Sequence, residues 1–282
     1  MRTMRKIQRI YKTVQTLEGA GVHLKRGFSY HAYETFDPFL MFDDFSNESA
    51  EAYEKGFPQH PHRGIETITY VRKGEVHHKD SIGSEGSIKD GGVQWMTAGS
   101  GILHEEMPVI SEGGIQGFQL WLNLPSKYKM IAPRYTEMKS EDIPSVVDEG
   151  VEVKVIAGVY KDIQGGIQDT IVPVTYLDVS VGSRAYFSVP TLREDAYFIY
   201  VYEGRVGVRD DRSESWVGAG ELALLTKDSA FACSGGADGA RFLLIGGTPI
   251  RETIVPHGPI VMNTEEEVKT ALVELQNGTF IQ

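Results

Sequence analysis

Short runs of alternating apolar and polar residues, closed by glycine-bearing turns, recur along this chain. Ile65 to Val76 reads Ile-Glu-Thr-Ile-Thr-Tyr-Val-Arg-Lys-Gly-Glu-Val, rich in β-branched and aromatic residues and broken by a Gly turn. Gly117 to Leu124 alternates from Phe118 onward, and Tyr197 to Val208 and Arg241 to Ile245 look similar. Many short strands separated by turns predict an all-β fold built of sandwiches or barrels. One helix is predicted, near 264–276. Thr264 followed by Glu265, Glu266 and Glu267 has the form of a capping box, with acidic residues where the helix dipole favours them. Val268, Ala271, Leu272 and Leu275 fall at helical spacing, and Asn277-Gly278 ends the run.

A weak internal repeat organises these strands. Tyr70-Val71-Arg72-Lys73-Gly74-Glu75-Val76 parallels Tyr200-Val201-Tyr202-Glu203-Gly204-Arg205-Val206, an offset of 130 residues. Two copies of one β-barrel are therefore expected, over residues 1–135 and 136–282, with the helix ending the second. The join is placed in the polar stretch from Lys127 to Glu149, which carries Pro133 and Pro144 and turns acidic from Glu137. A chain of 282 residues accommodates two such domains.

Charge narrows the partners. With 28 Lys+Arg against 39 Asp+Glu, the formal net charge of -11 disfavours direct contact with phosphate backbones. The basic N-terminal residues Arg2, Arg5, Lys6 and Arg9 are expected to form a solvated terminal segment. A single cysteine, Cys233, excludes an intramolecular disulfide and a Cys-rich zinc module, and its apolar neighbours predict a buried small residue. No run of about 18 apolar residues predicts a membrane span. The N-terminus lacks the apolar core of a secretory signal. A soluble, cytoplasmic monomer is the expectation.

The candidate chemistry lies in the first copy. Six of the eight histidines fall between residues 31 and 104: His31, His60, His62, His77, His78 and His104. In a strand, side chains two apart share a face. His60 and His62 therefore project together, and Glu66 shares their parity if Arg63-Gly64 does not interrupt the strand. The same alternation places Glu106 with His104 and sends Glu105 to the opposite side. Three neutral imidazoles and a carboxylate can bind a divalent ion and leave open positions for water, dioxygen or a substrate oxygen. Those ligand types do not choose among iron, manganese, cobalt, nickel and zinc. His77 and His78, adjacent and beside Lys79 and Asp80, are expected to lie on a solvated hairpin. Glu66 is either a partner that orients an imidazole or a competing ligand. Phe57, Gln94, Met96, Phe118 and Trp121 are candidates for the pocket wall.

His60-Pro61-His62, Glu66 and Gly74 resemble the first cupin motif, and Gly92 through Gly101 to His104 resembles the second. The second departs from the usual pattern where Glu106 stands. That departure resembles the pirin family, as do Phe36-Asp37-Pro38-Phe39-Leu40, His60-Pro61-His62-Arg63-Gly64, Gln94-Trp95-Met96-Thr97-Ala98-Gly99 and Gly101-Ile102-Leu103-His104. Near the C-terminus, His257-Gly258-Pro259 and Val261-Met262-Asn263-Thr264 look similar to the same family. The resemblance covers essentially the whole chain. It implies two jelly-roll-like cupin barrels face to face, with one metal in the N-terminal barrel held by His60, His62, His104 and Glu106. Fe2+ is favoured, with Mn, Co, Ni, Cu and Zn left open. Some members of the family act as quercetinases, which open a flavonol ring with dioxygen. The expectation is such a dioxygenase, in which Glu106 also accepts the substrate hydroxyl proton. The alternative is an iron-dependent regulator that binds a protein partner without catalysis, as described for the animal member, and is nuclear in a eukaryote. Adding 130 to His60, His62 and Glu66 gives Pro190, Leu192 and Ala196. The second barrel is therefore expected to be metal-free and structural.

Overall fold

The computed structural model describes residues 3–209 and 214–281, which form two compact units. One comprises Val14–Ser140 together with the segment from Ile250 onward, and contains the histidine pattern. The other comprises the residues before Val14 together with Glu141–Pro249. Arg2 lies outside the described residues.

Two antiparallel sheets make up most of the histidine-bearing unit, and Val255–His257 pairs with Ile260–Met262 in a small third one. Seven strands run in the order Arg134–Met138, Gly92–Thr97, Ile65–Lys73, Gln116–Asn123, Phe39–Asp44, Val22–Phe28 and Val14–Glu18. Four more run in the order Phe57–His62, Ile102–Pro108, Val76–Asp80 and Glu85–Ile88. Val22, Leu24 and Val71 of the first sheet share a buried core with Val76 and Ile88 of the second. The glycine turn expected near residue 74 is present: Gly74 has φ +98°, a region that disfavours residues with a Cβ, and its N–H donates to Asp90.

The second unit repeats the larger sheet. Its order is Ile7–Lys12, Glu221–Leu225, Ala196–Arg209, Ala230–Gly247, Val174–Val181, Val151–Ala157 and Ser145–Asp148. Tyr70 and Tyr200, which anchor the sequence repeat, lie on corresponding strands third from the same edge. The interior is filled by apolar side chains that include Phe187, Phe231, Phe242, Tyr197 and the thiol of Cys233.

The two ends of the chain do not follow the division at residue 135. Ile7–Lys12 pairs with Glu221–Leu225, where the histidine-bearing unit uses Arg134–Met138 against Gly92–Thr97. Both strands cover an otherwise open sheet edge, whose unpaired N–H and C=O groups need partners. The expectation of a solvated basic N-terminus fails at Arg5, which is fully buried. Its guanidinium donates to Thr191 Oγ1 at 2.8 Å and to the carbonyls of Thr226, Leu192 and Asp195 at 2.7, 2.6 and 3.1 Å. It also lies over the ring of Tyr197.

The C-terminal helix, Glu265–Asn277, has the predicted capping box and closes on Gly278 at φ +70°. It belongs to the histidine-bearing unit, where Val268 and Ala271 pack on Ile260, Met262 and Phe280. No helix among the described residues is long and apolar enough to cross a membrane. Replacing Arg5 with Ala strips four acceptors of a charged donor. Chemical denaturation is expected to show a loss of about 3 kcal/mol; a change below about 0.5 kcal/mol contradicts the anchoring role.

Candidate metal centre

Strand pairing brings the histidines together. Phe57–His62 and Ile102–Pro108 are antiparallel neighbours, with His104 opposite His60. His60 Nε2 lies 3.0 Å from both His62 Nε2 and His104 Nε2. These three imidazoles form a group whose ligand atoms all lie within 4.8 Å of one another. His60 Nδ1 is 2.9 Å from the Pro58 carbonyl, so it carries the proton and leaves Nε2 a lone pair. Burial, followed by the neighbouring histidines, holds His62 and His104 well below the ordinary histidine range. Neutral imidazoles with converging lone pairs repel one another unless a proton or a cation lies between them. A divalent ion therefore suits this donor set.

The expected alternation along Ile102–Pro108 is observed. Ile102, His104 and Glu106 are buried, whereas Leu103 and Glu105 are partly exposed. Glu106 lines the same cavity as His60 and His62, and its Oε1 accepts a hydrogen bond from Thr69 Oγ1 at 2.7 Å. The three-nitrogen group does not include its carboxylate.

Glu66 does not share the strand of His60 and His62. Gly64, at φ +76°, ends that strand, and Glu66 lies on Ile65–Lys73 in the other sheet. Its buried carboxylate accepts from Thr97 Oγ1 at 2.6 Å, and burial raises its pKa. It stands apart from the imidazole group.

His77 lies on the hairpin surface beside Glu75, as expected. His78 does not. Val76–Asp80 alternates inward at Val76, His78 and Asp80, and His78 is only 2% exposed. It packs against His104 and stacks on Tyr135. The same two-residue periodicity applied to Val76, His78 and Asp80 would have found it; the flanking Lys79 drew the reading toward solvent.

The C-terminal segment braces the turn after His62. Arg63 pairs with Glu274 at 2.6 Å, donates to the Phe280 carbonyl at 3.0 Å and lies over the Phe280 ring. Buried Lys129 donates to Gly64 O, Asn123 Oδ1 and Val261 O at 2.9, 2.7 and 2.7 Å. Burial pushes its ammonium down to about 7. A lone lysine in a polar stretch gave no hint of this role.

A cavity of about 670 Å³ opens on His60, His62 and Glu106. Phe57 and Trp121 line it, as expected, together with Leu24, Tyr30 and Met41. Gln94, Met96 and Phe118 are instead buried in the interior; Gln94 contacts His78 at 3.2 Å, and Phe118 stacks on Phe42. Arg26 also reaches the cavity, but Asp43 and Glu18 hold it at 2.7 to 2.9 Å.

A histidine pair on one strand, facing a third across a jelly-roll sheet, within a chain whose larger sheet is duplicated, defines the class: a two-barrel cupin protein. The chain belongs to the pirin family. The family's Pirin model matches residues 21–122, and its Pirin C-terminal cupin domain model matches residues 176–281. A pirin-like protein of Caulobacter vibrioides is 42% identical over 279 residues, 98% of this chain and 99% of that protein. Human Pirin is 39% identical over 262 residues, 92% of this chain and 88% of that one. The crystal structure of a quercetin 2,3-dioxygenase from Acinetobacter baumannii is similar at a TM-score of 0.89 and 34% identity, covering 99% of each chain.

Two measurements check the site and its brace. Elemental analysis of the purified protein is expected to find about one divalent ion per chain, as one cluster of three imidazoles implies. His104→Ala should lose most of it; undiminished metal in that variant contradicts the assignment. Lys129 titrates at about 7 when folded and at its ordinary 10.5 when unfolded. Between those values the unfolded chain holds the extra proton, so stability rises with pH. Denaturant melts across that window should show this rise, and a Lys129→Met variant should show it flattened. Equal slopes contradict the account.

Proposed function

We propose that this protein is a metal-dependent dioxygenase of the quercetinase type, with Fe2+ as the favoured ion, opening a flavonol ring with dioxygen. The observation that carries the reading is a cluster of three imidazoles, those of His62 and His104 buried, whose His60 and His62 line an aromatic-walled cavity of about 670 Å³, within the range that takes drug-sized ligands. His60, His62 and His104 would supply three nitrogen ligands, and Glu106 an oxygen. When bound, the ion supplies Lewis-acid polarisation and a place for substrate oxygen and dioxygen to meet.

The protein's own groups do the rest. Phe57, Met41 and Trp121 offer apolar faces to a flat polycyclic substrate and exclude water from its ring. The Trp121 indole meets His62 edge-on at 5.1 Å between centroids, which places the aromatic wall directly beside the ligand cluster. Thr69 holds Oε1 of Glu106 by a hydrogen bond, leaving Oε2 as the atom that accepts the flavonol hydroxyl proton. Arg26, already engaged by Asp43 and Glu18, gives the cavity a polar rim without an unpaired cation. The quercetinase name carried by the Acinetobacter structure supports the same substrate class.

Iron-loaded protein incubated with quercetin in air is expected to consume the flavonol absorption band. Unchanged quercetin with a filled metal site overturns the reading. Glu106→Gln should retain metal and lower kcat by about 10²–10⁴-fold, the scale of a lost general base. Full turnover with metal retained removes Glu106 from the proton-accepting role.

A further inference from the structure

We infer that His78, backed by Asp80, is a positioning residue that sets which ring nitrogen of His104 faces the metal cavity. The inference rests on the reading of His104 as a ligand, and its atoms lie outside the substrate cavity described above.

The chain of contacts runs from a hairpin turn to the cluster. The backbone N–H groups of Ile82 and Ser84 donate to Asp80 Oδ1 at 3.0 and 2.9 Å. Asp80 Oδ2 lies 3.0 Å from His78 Nε2, and both side chains are fully buried. A carboxylate accepts only, so His78 carries its proton on Nε2 and donates it to Asp80. In the neutral ring His78 Nδ1 is then an acceptor. Two groups converge on it: the Gln94 amide Nε2 at 3.2 Å and His104 Nδ1 at 3.4 Å. His104 must therefore hold its proton on Nδ1. Its Nε2 is left as a lone pair, aimed at His60 Nε2 at 3.0 Å. The order of donors thus runs from the turn inward, with Gln94 and His104 sharing the one lone pair of His78 Nδ1. Partners of this kind fix ring orientation and raise the basicity of a ligating imidazole.

His78 itself is not a fourth ligand. One nitrogen faces Asp80 and the other faces His104 Nδ1, so neither is turned to the converging Nε2 atoms. Nor is plain packing enough. A phenylalanine would keep the stack on Tyr135, but it would leave His104 Nδ1–H without its acceptor in a buried place.

Asp80→Asn tests this with little change of shape. The asparagine carbonyl still accepts from Ile82 and Ser84, but its amide now donates to His78 Nε2. The His78 proton moves to Nδ1, where it opposes Nδ1–H of His104 and drives that proton to Nε2. Two readouts are informative. The first is 15N NMR of histidine-labelled, metal-free protein. Wild type should show His104 protonated at Nδ1, and Asp80→Asn should shift it toward Nε2. The second is Ni2+ affinity by chelator competition, expected to fall about 10–100-fold in Asp80→Asn and in His78→Phe. Should His78→Phe fail to fold, Asp80→Asn decides alone. A wild-type His104 protonated at Nε2, or Ni2+ affinity within about twofold of wild type in a folded Asp80→Asn variant, overturns the inference. Wild-type protein that binds no Ni2+ at all overturns the metal-site reading instead, and the tautomer spectrum still decides for or against His78.

Discussion

Three neutral imidazoles whose lone pairs converge with nitrogens about 3.0 Å apart repel one another unless a proton or a cation lies between them. The surrounding protein must impose the arrangement, and a cation relieves it. Much of the histidine-bearing unit is organised to that end. One strand presents His60 and His62 on the same face, its antiparallel neighbour sets His104 opposite His60, and a glycine in a left-handed conformation ends the pair at Gly64. Burial keeps His62 and His104 uncharged, so their lone pairs remain available.

Support comes from chain segments far apart in sequence. Lys129, Val261, Glu274 and Phe280 fasten the turn that follows His62, while the hairpin around Asp80 stands behind His104. The first group explains why the last strands and the helix Glu265–Asn277 belong with the histidines and not with the barrel that precedes them in sequence. The second unit has the same order of strands in its large sheet, but aromatic and aliphatic side chains fill its interior. The cavity with polar donors lies in the histidine-bearing unit. The sequence offset puts Pro190 and Leu192 at the positions matching His60 and His62.

What could be read from the chain followed from local periodicity. Alternation along Phe57–His62 and Ile102–Pro108 identified the histidines and separated Glu106 from Glu105, and the capping box of Thr264 and Glu267 marked the helix start. What could not be read depended on pairings between distant segments. Arg5 is buried because Thr191, Leu192, Asp195 and Thr226 surround it, and no neighbour in sequence signals that. Ile7–Lys12 has the look of any terminal strand until the open edge of Glu221–Leu225 is known. Glu66 stayed open for a different reason: its parity depended on Arg63-Gly64 not interrupting the strand, and Gly64 does break it. His78 was legible in principle but overshadowed by charged neighbours.

The central claim is that His60, His62 and His104 together hold a metal ion. X-ray absorption at the K edge of the bound metal tests it most directly, because imidazole rings give a recognisable multiple-scattering pattern. A nitrogen- and oxygen-rich first shell with three imidazoles is expected, and the small fraction of metal that His104→Ala retains should show two. A first shell without imidazole scattering, or one unchanged by that substitution, would contradict it.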